Sequence, residues 1–365
     1  MFYIKKSFLF LLFAIVVSAN EPDLIFTSNN AFYSAATKSL GGAVISYPVD
    51  IASGLSNPAL IFSYLNKNKA IKGNVSIGYG RDSIFDRHII PAGIVYSTGD
   101  GAVGGYYRYL KSDNHKTQNE FVINMSGELF GPAKNNSGAM EAGQVDFGIN
   151  IRYEVFNWKN RSIGPFNNLG VNNNAQLEQK RLLLDAGLYQ SNVAKNLDFA
   201  LTMRNVTGYI WTEEKPVIKD SVEKQYPLNY DSVDNTVYYY VNSTKKSKEW
   251  LEKKDRTVTI GATYHILFEG GLSRISLPVD CEIFGLFAKK VKNAYIFRTG
   301  IDLVIRDKFS IRAGYSRAPG SYQSGWKDLK RINVFTGGVG LTLDPIKIDC
   351  SFADRAFGTT AAFEF

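Results

Sequence analysis

Long segments in which apolar and polar residues alternate one by one restrict the fold of this chain more than any other feature. From Val145 to Val155 every second residue is apolar, and the residues between them are polar, charged or glycine. Eleven residues of alternation match a tilted membrane strand and are about twice an average globular strand. The pattern predicts all-β structure, and it recurs at 119–129, 256–267, 293–305 and 309–317.

The composition of the polar faces separates two kinds of all-β protein. Strands of a soluble sandwich are shorter, and their polar residues face the water outside. In this chain the polar faces carry Gly, Ser, Thr, Asn and charges of both signs, which is typical of a barrel lumen whose outer face meets lipid. Because lipid offers no partner for an open sheet edge, such a sheet must close. The sequence therefore favours a transmembrane barrel over a soluble β-protein.

The spacing of these segments predicts the size and orientation of the barrel. About fourteen strands fit into residues 72–365, an even number as in bacterial single-chain barrels. Connections after the even-numbered strands are mostly tight turns with Gly, Asp or Pro, whereas two long loops fall near 156–176 and 209–255. Short turns at one end and long loops at the other are typical of outer-membrane barrels, with the long loops outside. The sequence predicts the outer membrane of a diderm bacterium as the location.

The N-terminus has the pattern of an export signal. Lys5 and Lys6 precede an apolar run from Phe8 to Val17, and small residues up to Ala19 resemble a signal peptidase site. The run is too short for a transmembrane helix, which needs about 20 apolar residues. We predict that residues 1–19 are a cleaved signal peptide.

The composition excludes several other classes of function. With 3 His and 2 Cys in 365 residues, a zinc or iron–sulfur site is not expected. Motifs of a nucleophile elbow, a phosphate-binding loop or a zinc protease are missing from the sequence. The net charge of +8 is dispersed rather than gathered in a basic stripe. We therefore expect no enzyme activity, catalytic residue, metal, cofactor or nucleic-acid partner, and we expect contact with outer-membrane lipid and lipopolysaccharide.

A segment of about fifty residues, 20–71, precedes the first strand. It contains Gly41 and Gly42, then Asp50, and seven residues later the run Asn57-Pro58-Ala59. Together with a following barrel, this order resembles the FadL long-chain fatty acid transporter superfamily, and later runs such as 184–189, 297–302 and 310–315 resemble its PorV-like outer-membrane members. The resemblance implies that 20–71 folds inward as a hatch that fills the lumen.

The resemblance also implies a function. FadL-type transporters let hydrophobic molecules such as long-chain fatty acids cross the outer membrane, and a loop groove captures the ligand before the hatch moves. Two alternatives stay open. PorV-like members are implied to act with a protein-secretion machine, which would supply secretion-system partners, and an unplugged barrel would be a general porin.

Aromatic residues in the long loops and at the C-terminus complete the prediction. Aromatic and basic side chains in the loops suit an amphipathic anion such as a fatty acid, although packing of the loops or the lipid interface is the favoured explanation. The C-terminal strand ends with Phe363 and Phe365 on its outward face, which resembles the signal that the barrel insertion machinery reads. The residues predicted for ligand capture are Phe156, Trp158, Trp211 and Trp250.

Overall fold

The structure, a computed structural model, describes thirteen segments of the chain. The predicted signal peptide lies outside the described residues. The segments are 34–67, 72–82, 87–112, 116–131, 133–134, 140–162, 174–217, 245–251, 256–268, 273–284, 294–318, 332–353 and 356–365.

Three short helices precede a succession of strands. The helices are α1 (Ala35–Ser39), α2 (Ser53–Ser56) and α3 (Leu60–Lys67). The strands are β1 (Gly73–Asp82), β2 (Arg87–Ser97), β3 (Gly101–Ser112), β4 (Lys116–Phe130), β5 (Ala133–Lys134), β6 (Met140–Ala142), β7 (Val145–Ser162), β8 (Asn174–Ala194), β9 (Leu197–Val217), β10 (Lys245–Trp250), β11 (Thr257–Leu267), β12 (Arg274–Phe284), β13 (Ala294–Ile305), β14 (Phe309–Ala318), β15 (Ile332–Leu343), β16 (Ile346–Ala353) and β17 (Ala356–Glu364).

Fourteen of these strands form one closed antiparallel barrel. β1 pairs with β2 on one side and with the last strand, β17, on the other, so the sheet has no open ends at this seam. Along the ring the order is β1, β2, β3, β4, β7, β8, β9, β11 and then β12 to β17. β10 pairs with β9 beyond the end of β11 and continues its line, and β5 and β6 form a separate small hairpin. The predicted all-β barrel of about fourteen strands is confirmed.

The burial pattern is the reverse of that in a soluble protein. On β7 the apolar side chains of Phe147, Ile151 and Tyr153 are exposed on the outside, whereas Asp146 and Arg152 are buried inside. Along β16 and β17 exposed and less exposed residues alternate in the same way. A strand whose apolar face points outward and whose charged face points inward needs an apolar medium around it. The alternation in the sequence therefore reflects lipid outside and a polar interior.

The two ends of the barrel differ as predicted in their turns, but the long strands continue further than expected. Tight turns join β2 to β3, β8 to β9, β13 to β14 and β15 to β16, and we call this the short-turn end. At the opposite end β7 and β9 run on to Ser162 and Val217, and β10 occupies part of the segment predicted as a loop. Beyond the lipid both faces of a strand meet water, so the apolar alternation fades while the backbone ladder continues.

The segment 34–67 lies inside the ring of strands, and we call it the hatch segment. Its backbone and side chains contact inward-facing groups of strands around the barrel, from Ser126 on β4 to Asp302 on β13 and Thr360 on β17. Leu40, Ala59, Leu60 and Ile61 in this segment are fully buried. None of the helices among the described residues is long and apolar enough to cross a membrane.

Candidate functional site

The two predicted glycines of the hatch segment end helix α1. Ser34 caps its N-terminus by accepting a hydrogen bond from the Thr37 N–H at 3.1 Å. After the helix Gly41 and Gly42 have φ angles of 67° and 80°, and their N–H groups donate to the carbonyls of Lys38 and Thr37. Because this left-handed region is costly for residues with a Cβ, glycine allows the chain to turn sharply here.

This turn docks against a pair of wall glycines that face each other on neighbouring strands. Gly300 on β13 stands directly opposite Gly314 on β14. A Cβ added to Gly314 would overlap the backbone of Leu40 and Gly41, and one added to Gly300 would lie 3.0 Å from a Leu40 methyl group. Thr336 Oγ1 donates to the Ser39 carbonyl beside this contact at 3.0 Å. The hatch backbone therefore approaches the wall where the wall has no side chains.

The second predicted motif docks in the same way on the other side of the lumen. Gly148 on β7 stands opposite Gly187 on β8. A Cβ at Gly187 would overlap the Asn57 side chain, and one at Gly148 would overlap the carbonyl group of Pro58. Asn124 Nδ2 donates to the Pro58 carbonyl at 3.1 Å. The two motifs predicted from the sequence, at Gly41-Gly42 and at Asn57-Pro58, thus each contact one pair of wall glycines.

Asn57 links three parts of the structure through one buried amide. Its Nδ2 donates to the carbonyl of Ile45 at 2.8 Å and to the carbonyl of Leu188 on β8 at 3.1 Å. Its Oδ1 accepts a hydrogen bond from the Ala59 N–H at 3.1 Å. Ala59 itself is fully buried in an apolar cluster with Ile45 and wall residues. Asn57 therefore joins the two halves of the hatch segment to each other and to the wall.

Asp50 begins the second half of the hatch segment. Its Oδ1 accepts a hydrogen bond from the Ser53 N–H at 3.1 Å, which orders the turn before Asn57. Lys347 on β16 reaches into the lumen, and its Nζ donates to the Val49 carbonyl at 2.9 Å. Burial raises the pKa of Asp50 above its ordinary value, and the charge of Lys347 opposes this rise only in part.

Tyr47 connects the first half of the hatch segment to β13. Its hydroxyl donates to Asp302 Oδ2 at 2.8 Å. Burial, together with the negative charge of Asp302, raises the pKa of Tyr47 to about 12. Tyr47 therefore stays protonated and keeps donating this hydrogen bond at physiological pH.

Four arginines inside the barrel pair with buried carboxylates. On the β3–β8 side Arg108 contacts Glu120 at 2.7 Å, and Arg152 contacts Glu154 and Asp185, each at 2.8 Å. On the β12–β16 side Arg298 pairs with Glu282, and Arg312 lies between Asp302 and Asp349. These side chains are almost fully buried, so each charge depends on its partner. Each of these arginines thus has at least one carboxylate partner inside the barrel.

A bulge in β9 adjoins the first of these charge networks. Asn205 has a φ of 56°, and its N–H donates to Asp185 Oδ1 at 2.8 Å while its own Oδ1 accepts from Arg152 Nη2 at 2.6 Å. The register between β8 and β9 shifts here, between Leu184 and Ala186. Across β9 from this bulge, β10 ends at Trp250 and β11 begins at Thr257. The wall ladder is therefore irregular at one height across three strands.

The residues predicted for ligand capture do not lie together. Phe156 is half-buried and follows Glu154 on the inward-facing row of β7. Trp211 and Trp250 lie on the outer face of β9 and β10, where Tyr209 contacts both rings. Trp158 is in β7 opposite Lys116 and Leu177, and its side chain lies outside the described residues.

The C-terminal aromatic residues lie on the outer face as predicted for an insertion signal. Phe363 and Phe365 are about half exposed, and their rings stack with centroids 6.5 Å apart. Phe365 also pairs with Gly73 at the start of β1 through backbone hydrogen bonds. The end of the chain thus takes part in closing the barrel, and recognition by the insertion machinery stays a prediction.

The wall glycine pairs are contact positions of the hatch segment that the sequence analysis missed. A signal was present, because Gly148, Gly187, Gly300 and Gly314 all fall at inward-facing positions within strands rather than in turns. Glycine there weakens a strand and marks a close approach of another backbone. Each glycine alone carries no information about its partner, which only the register of the neighbouring strand supplies.

Comparison with known proteins supports the fold. No family model and no curated protein matches the sequence. Among solved structures, a Pseudomonas aeruginosa FadL homologue has a TM-score of 0.59 at 10% identity, covering 91% of this chain and 98% of that chain. The P. putida toluene transporter TodX has a TM-score of 0.50 at 10% identity with the same coverage of both chains, and its deltaS2S3 mutant has 0.53 at 10% identity, also over 91% and 98%.

These likenesses, at low identity, concern the fold. The chain has the fold of a fourteen-stranded outer-membrane β-barrel of the FadL type, as the sequence resemblance predicts. They do not bear on the PorV-like branch, so that resemblance stays a prediction.

Proposed function

We propose that this protein is a FadL-type channel that lets hydrophobic solutes cross the outer membrane, with the hatch segment as its closed gate. The observation that carries the proposal is the docking of residues 34–67 within the closed barrel through two wall glycine pairs. A barrel of this size has a lumen too wide for its own side chains to fill. A separate folded segment in that lumen blocks water and ions and still permits passage when it moves.

The contacts of the hatch segment favour a hydrophobic solute. Facing β2 to β4 it forms one apolar cluster, in which Ile51, Leu55 and Phe62 pack with Val95 and Val122 of the wall. Tyr106 and Asn124 add hydrogen bonds to backbone carbonyls of this side. The opposite side is held by hydrogen bonds and by the paired charges of β12 to β16. A hydrophobic molecule can replace the apolar contacts at little cost, because it buries the same surface.

The substrate class that we propose is long-chain fatty acids and related hydrophobic molecules. TodX, which shares the fold, is a toluene transporter by name, and a small hydrocarbon is therefore an informative second test substrate. Phe156, Trp158, Trp211 and Trp250 remain the residues proposed for ligand capture, on strands near the long-loop end.

Uptake in a host that lacks its own long-chain fatty acid channel tests this proposal. Cells expressing the protein should take up labelled oleate faster than cells with an empty vector, and toluene should be compared in the same cells. Purified protein in planar bilayers should show little steady conductance, because the hatch segment closes the lumen. Equal uptake with and without the protein would contradict the proposal, and a large steady conductance would favour the general porin instead.

A further inference from the structure

An aromatic cluster with adjacent lysines lies on the outer face of the barrel near the long-loop end. Tyr209 contacts Trp211 with ring centroids 4.6 Å apart and Trp250 with centroids 5.2 Å apart, both edge to face. Trp250 is 71% exposed, more than any other large apolar residue that the structure describes. We call these three residues together with Lys180 and Lys248 the aromatic–lysine patch.

Strand register shows that this patch faces away from the lumen. Tyr209 stands opposite Leu182 on β8 and opposite Trp250 on β10. Leu182 is exposed on the outer face of β8, whereas Leu183 beside it is buried. Trp211, two residues further along β9, stands between Lys180 on β8 and Lys248 on β10. The lysines therefore share the outer face with the aromatic rings.

The position of the patch along the strands corresponds to the outer edge of the hydrocarbon layer. Twelve residues separate Leu197, just after the short turn, from Tyr209. At about 3.3 Å per residue and a tilt of about 40°, and with the bulge at Asn205 subtracted, they rise roughly 25–30 Å, close to the height of a barrel's apolar band. Exposed Phe199 and Leu201 occupy the outer face below the patch.

Along the outer face of β9, Phe199 and Leu201 are thus followed by Tyr209 and Trp211, and lysines of the neighbouring strands stand at the level of Trp211. Aromatic side chains mark the boundary of the membrane, and the next residues outward lie at the level of lipid headgroups. At this level the two lysines stand on either side of one tryptophan ring. Ammonium groups there meet the negatively charged groups of the surrounding lipid.

We propose that the aromatic–lysine patch is a binding site for a phosphorylated glycolipid of the outer leaflet, with Lys180 and Lys248 contacting its phosphate groups. Tyr209 and Trp250 cover the start of its acyl chains. The proposal rests on the barrel fold and its orientation, and it does not depend on the transported solute.

The neighbouring acidic residues determine how much each lysine contributes. Lys180 is paired with Glu178 at 2.9 Å, and Lys246 lies 3.7 Å from Glu213. Lys248 stands opposite Trp211 and forms no ion pair with the described residues. Lys248 is therefore the stronger phosphate contact, and Lys180 contributes more once Glu178 is neutralised.

Lipid titration of the purified full-length protein tests the proposal. The delipidated protein in detergent is titrated with bisphosphorylated lipid A, and retained lipid is measured by native mass spectrometry. Each lysine near an anionic lipid contributes about fivefold in affinity, so Lys248→Gln should weaken binding about fivefold and the double variant with Lys180→Gln more than tenfold. Glu178→Gln should strengthen binding, because it frees Lys180.

Two controls separate this site from general charge effects. Lys308→Gln removes the same charge from an exposed turn at the short-turn end, and it should leave lipid A binding unchanged. Dephosphorylated lipid A and phosphatidylglycerol replace the probe in parallel titrations and should bind more weakly. The proposal is overturned if the double variant binds lipid A within twofold of the wild type, if Lys308→Gln weakens binding equally, or if removal of the phosphates has no effect.

Discussion

Asn57 is the residue whose replacement tests the closed gate most directly. Its side-chain amide is fully buried and makes three hydrogen bonds, to Ile45, to Leu188 and from Ala59. Replacement by alanine removes these bonds while leaving the wall glycine pair and the barrel strands intact. Asn57→Ala should therefore shift the equilibrium between docked and undocked hatch and leave the barrel folded.

The size of this shift follows from the number of bonds. Each intramolecular hydrogen bond contributes about 1 kcal/mol net, so three bonds correspond to roughly 3 kcal/mol. At about 1.4 kcal/mol per factor of ten, the undocked population should rise on the order of a hundredfold. Buried carbonyl and N–H groups left without a partner add to this cost.

Hydrogen exchange measured by mass spectrometry reports this equilibrium. Peptides within 40–60 should exchange on the order of a hundredfold faster in Asn57→Ala, whereas peptides from the barrel strands should be unaffected. Asn66→Ala is the matched control, because Asn66 belongs to the same segment but is exposed and makes one hydrogen bond of 3.3 Å, to Gln144. Exchange within twofold of the wild type, or an equal effect of Asn66→Ala, would refute the reasoning.

Three further variants test other parts of the site. The pKa of Asp50 is raised in the folded protein, so the folded protein retains a proton that the unfolded chain loses above about pH 4, and the free energy of unfolding falls as the pH rises above that value. Asp50→Asn should remove that fall in guanidinium titrations from pH 4 to 8. A difference in stability between variant and wild type that does not change with pH would argue against this reasoning. Gly187→Val should push Asn57 off the wall at a cost of about 1–3 kcal/mol, which makes channel openings in planar bilayers about 5 to 150 times more frequent; openings as rare as in the wild type would disprove the close approach. Arg152→Gln should leave buried carboxylates unpaired and lower the free energy of unfolding by about 3–5 kcal/mol, unlike Arg306→Gln at an exposed turn; equal effects of the two would show that burial of the network is unimportant.

The wall of the barrel was predictable because lipid acts on every strand in the same way. Because outward residues on the membrane-spanning part of a strand are apolar, the alternation at Val145 to Val155 can be recognised in the local sequence without knowing which strands pair with it. The same reasoning explains where the prediction stopped. Residues of β9 beyond Tyr209 lie above the apolar band, and their strand conformation depends on pairing with β8 and β10 rather than on an apolar pattern.

The interior was less predictable because it depends on pairs of residues that are distant in sequence. Arg152 contacts Asp185 on the next strand, and Gly148 becomes a docking position only because Gly187 stands opposite it. Such pairings follow from the exact register of neighbouring strands, whereas alternation fixes only the face on which a residue lies and leaves open which residue stands opposite it. The motif around Asn57 was recognisable from the family resemblance, but its partners on the wall were not.

The contacts on the two sides of the hatch segment also indicate which part moves first. Breaking the contacts of Tyr47 and Ser39 with β13 and β15 leaves polar groups without partners, which water or a polar ligand must satisfy. Separating Leu55 and Phe62 from Val122 exposes apolar surface, and a hydrophobic solute covers that surface as it enters. Hydrogen bonds from Tyr106 and Asn124 also hold the α2–α3 half, but a hydrophobic solute offsets the loss of the apolar contacts of this half and of no polar contact on either side. We therefore expect the α2–α3 half facing β2 to β4 to yield while the α1 half stays docked. Hydrogen exchange in the presence of oleate should then increase in peptides from 50–67 more than in peptides from 34–47, and the reverse order would mean that the polar side opens first.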